Sequence, residues 1–354
     1  MSFLGFFSTT TLGATVWHTA SKMYYRIDFG ADETHFALAK DGWRIALSRY
    51  LPKGEKKRDA PPVVLCHGLA ANRYTWDLGP EQSLARWLAD RGYDVWSLEL
   101  RGHGLSDHGG WRTGRSLSWS VDEYLLNDVP AALQLVRAKT GAKEVDWIGH
   151  SMGGLLGYSL LQTPAAESVR TAVILGSSLN YSGTDSDFRY WQKYLSWARK
   201  RISGLPLGHL VRLSAPLALR FENPFDQFSV WPANTQGELY RRLLANGFHW
   251  LPLQVLEQLE SAIEPEGFRS ADGKTNYASG VASISKPVLV IGGDRDRQCP
   301  EVALRKTAEL LPAASTRILV LKDQGHFDLL IGKRCEAEVF PAIETWLASP
   351  QGAA

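Results

Sequence analysis

Cysteine is scarce. Cys66, Cys299 and Cys335 are the only three in 354 residues. They stand too far apart in sequence for a paired metal site and do not make an even-numbered disulfide framework. That excludes a small disulfide-stapled scaffold and makes a reducing setting the simplest one, so a cytoplasmic protein is expected. Charge of one sign is scarce too: 39 Lys and Arg against 37 Asp and Glu leave a net charge of +2. With no basic tract interleaved with aromatics, nothing points to a nucleic-acid partner. Long apolar runs are missing. Phe3 to Trp17 comes nearest, but Ser8, Thr9, Thr10, Thr11 and Thr15 break it, and the first Lys or Arg is Lys22. A signal peptide starts with positive charge, and a spanning helix needs ~20 mostly apolar residues. Residues 1–30 therefore read as an N-terminal arm that packs on the protein or touches a membrane surface peripherally. Internal repeats and low-complexity tracts are absent as well.

What remains is a packed globular chain, 44% hydrophobic and 21% charged, too long for one small core. Its rhythm is strand then helix. Glu33 to Lys40 and Trp43 to Tyr50 flank Asp41-Gly42, which predicts a hairpin with a two-residue turn. Pro62 to Cys66, Tyr93 to Leu100, Lys143 to Ile148 and Val169 to Leu175 are apolar runs suited to buried strands. Glu81 to Asp90 is helical. So is the stretch from the Ser120/Glu123 capping box towards Lys139, which Pro130 should kink or split. After Gly176 the alternation stops for about a hundred residues and resumes at Lys286 to Ile291. A helix from Pro300 to Leu311, a strand from Thr316 to Leu321 and a closing helix from Glu336 to Leu347, interrupted near Pro341, complete the chain. Parallel strands alternating with helices predict a mostly parallel sheet covered on both faces. The expected division is a core of residues 31–179 and 285–354, with a helical cap inserted at 180–284 over the carboxyl edge where ligands bind.

The chemistry centres on Gly149-His150-Ser151-Met152-Gly153. A strand enters it and a helical pattern, Leu155 to Leu161, leaves it. Strand, Gly-x-Ser-x-Gly and helix together form a nucleophile elbow, a turn that lifts the serine clear of the sheet. Ser151 would then sit at a helix N-terminus, where amide groups favour developing negative charge. Serine needs a base, and the base an orienting acid. His326, in the loop after the last strand, is the preferred base over His103, His108 and His150. The acid falls between the two, in Gly293-Asp294-Arg295-Asp296. Asp296 lies deeper in that loop and is preferred, with Asp294 suited to capping the turn. An oxyanion needs fixed N–H donors. Met152, just after the nucleophile, and Leu69, in His67-Gly68-Leu69, are the candidates. This chemistry asks for neither cofactor nor metal.

These residues resemble the α/β-hydrolase superfamily, and within it the acid lipases of gastric and lysosomal type. Leu65-Cys66-His67-Gly68-Leu69 with Trp76, and Leu88 to Trp96, carry the likeness. Asp128-Val129-Pro130-Ala131 leading to Gly149-His150-Ser151, and His326-Phe327-Asp328, carry it further. Met152-Gly153-Gly154 and Arg101-Gly102-His103-Gly104 depart towards general bacterial esterases. The resemblance implies the α/β-hydrolase fold, Ser151, Asp296 and His326 as a triad, and Leu69 and Met152 as oxyanion donors. It also implies cleavage of a small-molecule or lipid ester with an apolar acyl group through an acyl-enzyme. An acyltransferase or thioesterase with the same triad is the alternative, and a non-catalytic binding protein a more distant one. Aspartate at 151 would mark a dehalogenase or epoxide hydrolase, and cysteine a polymer synthase. The inserted block is rich in large apolar residues: Phe188, Trp191, Leu195, Phe221, Phe225, Phe228, Trp231, Phe248 and Trp250. Trp191 and Trp231 are the expected substrate-binding residues. Phe188, Trp191, Leu195, Ala198 and Ile202 are spaced as one helix face.

Overall fold

The structure, a computed structural model, describes residues 19, 21, 23–55, 57, 60–110, 113–189 and 203–350. Most of the N-terminal arm and the stretch holding Trp191, Leu195, Ala198 and Ile202 lie outside the described residues. In chain order the strands are β1 (Glu33–Leu38), β2 (Arg44–Tyr50), β3 (Val63–Cys66), β4 (Val95–Glu99), β5 (Val145–His150), β6 (Val169–Leu175), β7 (Gly204–Leu205), β8 (Leu251–Pro252), β9 (Val288–Gly293) and β10 (Thr316–Leu321). β7 and β8 form a separate antiparallel pair; the other eight make one sheet in the order β1-β2-β4-β3-β5-β6-β9-β10. From β4 onward every neighbouring pair is parallel, and only β2 runs against its neighbours β1 and β4.

Alternate residues of the central strands feed two apolar clusters, one per face. Val64, Cys66, Trp147, Ile174 and Val290 pack with α2 (Val129–Thr140) and α3 (Met152–Leu160). Val63, Leu65, Ile148, Val173 and Ile291 pack on the other side, with α1 (Leu84–Asp90) and the C-terminal helix Cys335–Ala348. A sheet buried on both faces explains why these strands read as continuous apolar runs rather than alternating ones.

Two local expectations need correction, and the one at Pro130 does not. The β1–β2 ladder ends at the Leu38/Arg44 pair, so the connection spans residues 39–43 rather than two residues. Gly42 at φ 84° closes it by donating to the Ala39 carbonyl. The helical stretch divides just before Pro130: after the Ser120/Glu123 capping box the chain makes a helical turn (Val121–Glu123) and a π-helical stretch (Tyr124–Asp128). Pro130 then lies at the start of α2, where its missing N–H costs nothing. Pro341 sits inside a helix that runs on from Cys335 to Ala348.

Between β6 and β9 the chain makes α4 (Leu207–Ser214), α5 (Pro224–Ser229), α6 (Gly237–Asn246) and α7 (Leu253–Glu260), with the β7–β8 pair among them. Among the described residues, no helix is long and apolar enough to cross a membrane.

Candidate active site

The carboxyl ends of β3, β5, β6, β9 and β10 come side by side, and Leu69, Ser151, Met152, Asp296 and His326 lie just beyond those ends. β5 delivers Ser151 at φ 54°, ψ −120°. A non-glycine residue is rarely held there, and such strain persists only when the surroundings fix it. Here the Ser151 N–H donates to the Leu175 carbonyl at 2.9 Å, and the Ser151 carbonyl accepts from Gly154 and Leu155 at 2.8 and 3.0 Å. The flanking glycines are required. A Cβ at Gly149 would collide with the Gly153 carbonyl, and one at Gly153 with that of Cys66. Met152 opens α3, so its N–H has no acceptor within the helix.

The loop after β3 approaches from one side. A Cβ at Gly68 would stand 3.0 Å from Ser151 Cβ and 3.5 Å from its Oγ. Glycine lets the backbone pass this close without pressing on Ser151, and Leu69 comes next, lining the cavity. His67 braces the loop. Its Nε2 accepts from the Leu100 N–H at 3.2 Å, so its Nδ1 carries the proton and donates to the Gly68 carbonyl at 2.8 Å. Burial pushes the His67 imidazole down to about 4.

His326 and Asp296 meet from the other side. His326 Nδ1 lies 2.7 Å from Asp296 Oδ2, with both side chains buried. The second oxygen, Oδ1, accepts from the N–H groups of Gln298 and Cys299, each at 2.8 Å. Asp294 does something else: its Oδ1 accepts from the Asp323 N–H at 2.6 Å and ties two loops together. The structure therefore separates the two aspartates, pairing Asp296 with His326 and leaving Asp294 on the turn.

Ser151, His326, Leu69 and Met152 line one cavity, together with Leu155, Ser177, Tyr181, Phe188, Leu259, Ala262 and Gln298. Its wall is mostly apolar, as ligand pockets are. Of the large apolar residues expected from the insertion, Phe188 lines it. Trp231 is not among the lining residues. Its ring lies 4.9 Å from the Arg295 guanidinium, and it borders grooves outside the cavity. Phe225 and Phe248 pack against the apolar cluster beside α1. Trp191 falls outside the described residues.

Three residues that support the site had no signal in the sequence specific enough to find them. Gly176, at φ 54°, turns the chain after β6 beneath the His–Asp pair. A Cβ there would meet Asp296 Oδ2 at 3.1 Å and His326 Nδ1 at 3.2 Å. His150 sits under His326, with ring centroids 4.6 Å apart, and donates from Nε2 to the His326 carbonyl at 3.0 Å. Burial and the neighbouring His326 hold the His150 imidazole well below its ordinary range. Asp328 is fully buried two residues past His326 and accepts from the Trp231 N–H, the Thr235 hydroxyl and the Gly325 N–H at 2.6, 2.6 and 2.8 Å. Burial pushes its carboxyl up to about 6. The Gly-His-x-Asp spacing is visible in the sequence, but the insertion partners of Asp328 are 97 and 93 residues away.

This arrangement matches known proteins. Residues 61–333 fit the alpha/beta hydrolase fold family. Lipase 3 of Drosophila melanogaster is 39% identical over 88% of this chain and 88% of that protein. The gastric triacylglycerol lipase of Homo sapiens is 33% identical over 37% of this chain and 35% of that protein. Among solved structures, a bacterial membrane phospholipase A superposes with a TM-score of 0.59 at 19% identity, covering 99% of this chain and 98% of that one. An esterase from Thermogutta terrifontis superposes with a TM-score of 0.58 at 16% identity, covering 90% and 100%; at such identities these two speak for the fold alone. The chain belongs to the α/β-hydrolase family, and it is a lipase- or esterase-like hydrolase of ester bonds.

Proposed function

Starting from that membership, we propose that the chain cleaves a lipid or small-molecule ester with an apolar acyl group through an acyl-enzyme on Ser151. Ser151 Oγ attacks the ester carbonyl while His326 Nε2 takes its proton. Asp296 holds the Nδ1 proton, which fixes the tautomer and stabilises the imidazolium that forms. The N–H groups of Leu69 and Met152 receive the oxyanion, each worth ~3 kcal/mol in the transition state. His326 returns its proton to the leaving alcohol. The same base then activates a water that frees the acid and regenerates Ser151.

The observation that carries this reading is the buried 2.7 Å contact between Asp296 and His326, where His326 lines a cavity that also holds a serine at φ 54°. Leu155, Phe188, Leu259 and Ala262 support the apolar acyl preference. In the same reading residues 180–284 cap the core. The exposed Met23 and Tyr24 in the N-terminal arm, with Leu210 and Phe221 on the cap, give weak contact with a lipid surface. Three buried, unpaired cysteines suit a reducing, cytoplasmic setting.

The test is Ser151→Ala, assayed with p-nitrophenyl esters alongside fluorophosphonate labelling. Turnover should fall by roughly 10³- to 10⁶-fold and labelling should vanish while the fold persists. A folded Ser151→Ala protein that still turns over would remove the nucleophile from this account.

A further inference from the structure

The loop that presents Leu69 is held from the insertion as well as from the core. Ala70, the next residue, has φ 54° without being glycine, a conformation that needs outside support. Its carbonyl accepts from the His249 N–H at 2.8 Å. Two residues on, Asn72 Oδ1 accepts from the Tyr74 N–H at 2.9 Å, which sets the sense of the amide. Asn72 Nδ2 therefore donates, to the Asn246 carbonyl and to His249 Nε2, both at 2.9 Å. The Gly104 backbone N–H also points at His249 Nε2, at 3.1 Å. A backbone N–H can only donate, so Nε2 must be an acceptor and the ring is neutral with its proton on Nδ1. One imidazole thus joins three segments: the loop of Leu69, the loop after β4, and the chain between α6 and β8.

The groups facing this ring make a proton on it costly. His103 and His108 lie 5.9 and 5.6 Å away, ring to ring. Burial above all, with His108, His67, Arg212 and Arg73 adding to the unfavourable field, pushes the imidazole down to about 3. The nearby Glu99 carboxylate is taken up by the Arg73 guanidinium at 3.1 and 3.2 Å and by the Leu105 N–H at 2.8 Å.

We infer that His249 is a positioning residue for this reaction, a neutral imidazole whose one acceptor nitrogen, shared by two N–H donors, holds the Leu69 amide in register with Ser151. The inference rests on Leu69 being an oxyanion donor. An oxyanion exists only after attack, so a displaced donor lowers kcat and leaves substrate binding nearly unchanged.

The experiment compares wild type, His249→Gln and His249→Phe on p-nitrophenyl butyrate, with kcat expressed per fluorophosphonate-titrated site. Glutamine offers an acceptor oxygen near the position of Nε2 and cannot take a proton. His249→Phe should lose roughly 10- to 100-fold in kcat, part of the ~10²- to 10³-fold lost with a whole oxyanion donor, while KM stays within about 3-fold. His249→Gln should restore kcat to within about 3-fold. Because burial keeps the His249 ring neutral down to about pH 3, the acid limbs of wild type and His249→Gln should coincide above about pH 4. A folded His249→Phe with wild-type kcat per site overturns the inference and leaves the hydrolase reading standing. An active Ser151→Ala protein overturns the hydrolase reading itself. Where His249→Phe does not fold, a wild-type acid limb that is steeper than that of His249→Gln above about pH 4 shows a ring that takes up a proton there, and overturns the inference.

Discussion

Replacing Asp296 by asparagine removes one charge and almost no volume, and the surroundings of the carboxylate decide the effect on turnover. Oδ1 accepts two backbone N–H groups, from Gln298 and Cys299. Asparagine keeps both bonds only with its amide oxygen at that position, so its NH₂ faces His326 Nδ1 across what is now a 2.7 Å contact. Two donors cannot share that contact. His326 must give up the Nδ1 proton and carry it on Nε2 instead, and a protonated Nε2 cannot accept the proton of Ser151. The opposite amide orientation restores the productive tautomer but turns the NH₂ on two buried N–H groups. Each unsatisfied donor costs about 1–3 kcal/mol, so the orientation costs roughly 2–6 kcal/mol. At 1.4 kcal/mol per decade, the productive form is depleted by roughly 30- to 10⁴-fold. Asp294→Asn retains an acceptor for the Asp323 N–H and loses a 3.9 Å pairing with the exposed Arg295, worth less than about 1 kcal/mol. Its kcat should stay within roughly 3-fold of wild type. Steady-state kcat on p-nitrophenyl butyrate at pH 8, with circular dichroism as the fold check, separates the two. Equal effects, or an Asp296→Asn enzyme within 10-fold of wild type, would refute the orientation argument.

The same geometry predicts three further outcomes. Gly176→Ala should lower both kcat, by about 10-fold, and the melting temperature. The left-handed conformation costs an L-residue about 1–2 kcal/mol, and the new methyl presses on Asp296 and His326; a variant that is less stable but fully active would show that the pair tolerates the push. Phe188→Ala should change the ranking of C4, C8 and C12 esters, because each methylene in a pocket is worth ~1 kcal/mol or more. Trp231→Ala should lower the melting temperature and keep the ranking, and the reverse pattern would mean that the acyl chain lies along Trp231.

The strands and the serine turn were legible in the sequence because their determinants are local. The apolar runs, Gly149 and Gly153 around Ser151, and the capping box at Ser120 each act within a few residues. Asp296 was preferable to Asp294 on depth in the loop alone, and the structure adds the reason: the N–H groups of Gln298 and Cys299 lie within three residues of it. Trp231 could not be oriented from sequence. Its backbone donates to Asp328, 97 residues away, and that bond, rather than the apolar character of the indole, fixes where the residue sits. Gly176 was invisible for a similar reason, since its need for φ 54° arises from a His–Asp pair contributed by two later loops. Composition showed that the insertion holds more large apolar groups than it can bury alone, without showing which of them face inward.

The sequence predicts a helical cap at residues 180–284, and the ties around the site argue for a division of labour within it. The segment 228–235 is bound to the loop of the base: Asp328 accepts from Trp231 and Thr235, Phe327 donates to the Ser229 carbonyl at 3.0 Å, and Lys333 donates to that of Asn234 at 2.7 Å. Gln298, beside the acid, accepts from the Ser186 hydroxyl at 2.6 Å and donates to the Phe228 carbonyl at 3.2 Å. His249 holds the oxyanion loop. At a net ~1 kcal/mol for each neutral bond and more for those to a buried carboxylate, swinging this part of the insertion away as a rigid body would cost several kcal/mol. It would also release all three loops at once. In the proposed mechanism residues 228–249 therefore act as a frame for the catalytic groups. Any opening that admits a substrate must use other parts of the insertion, and the frame need not move for Ser151 to be reached.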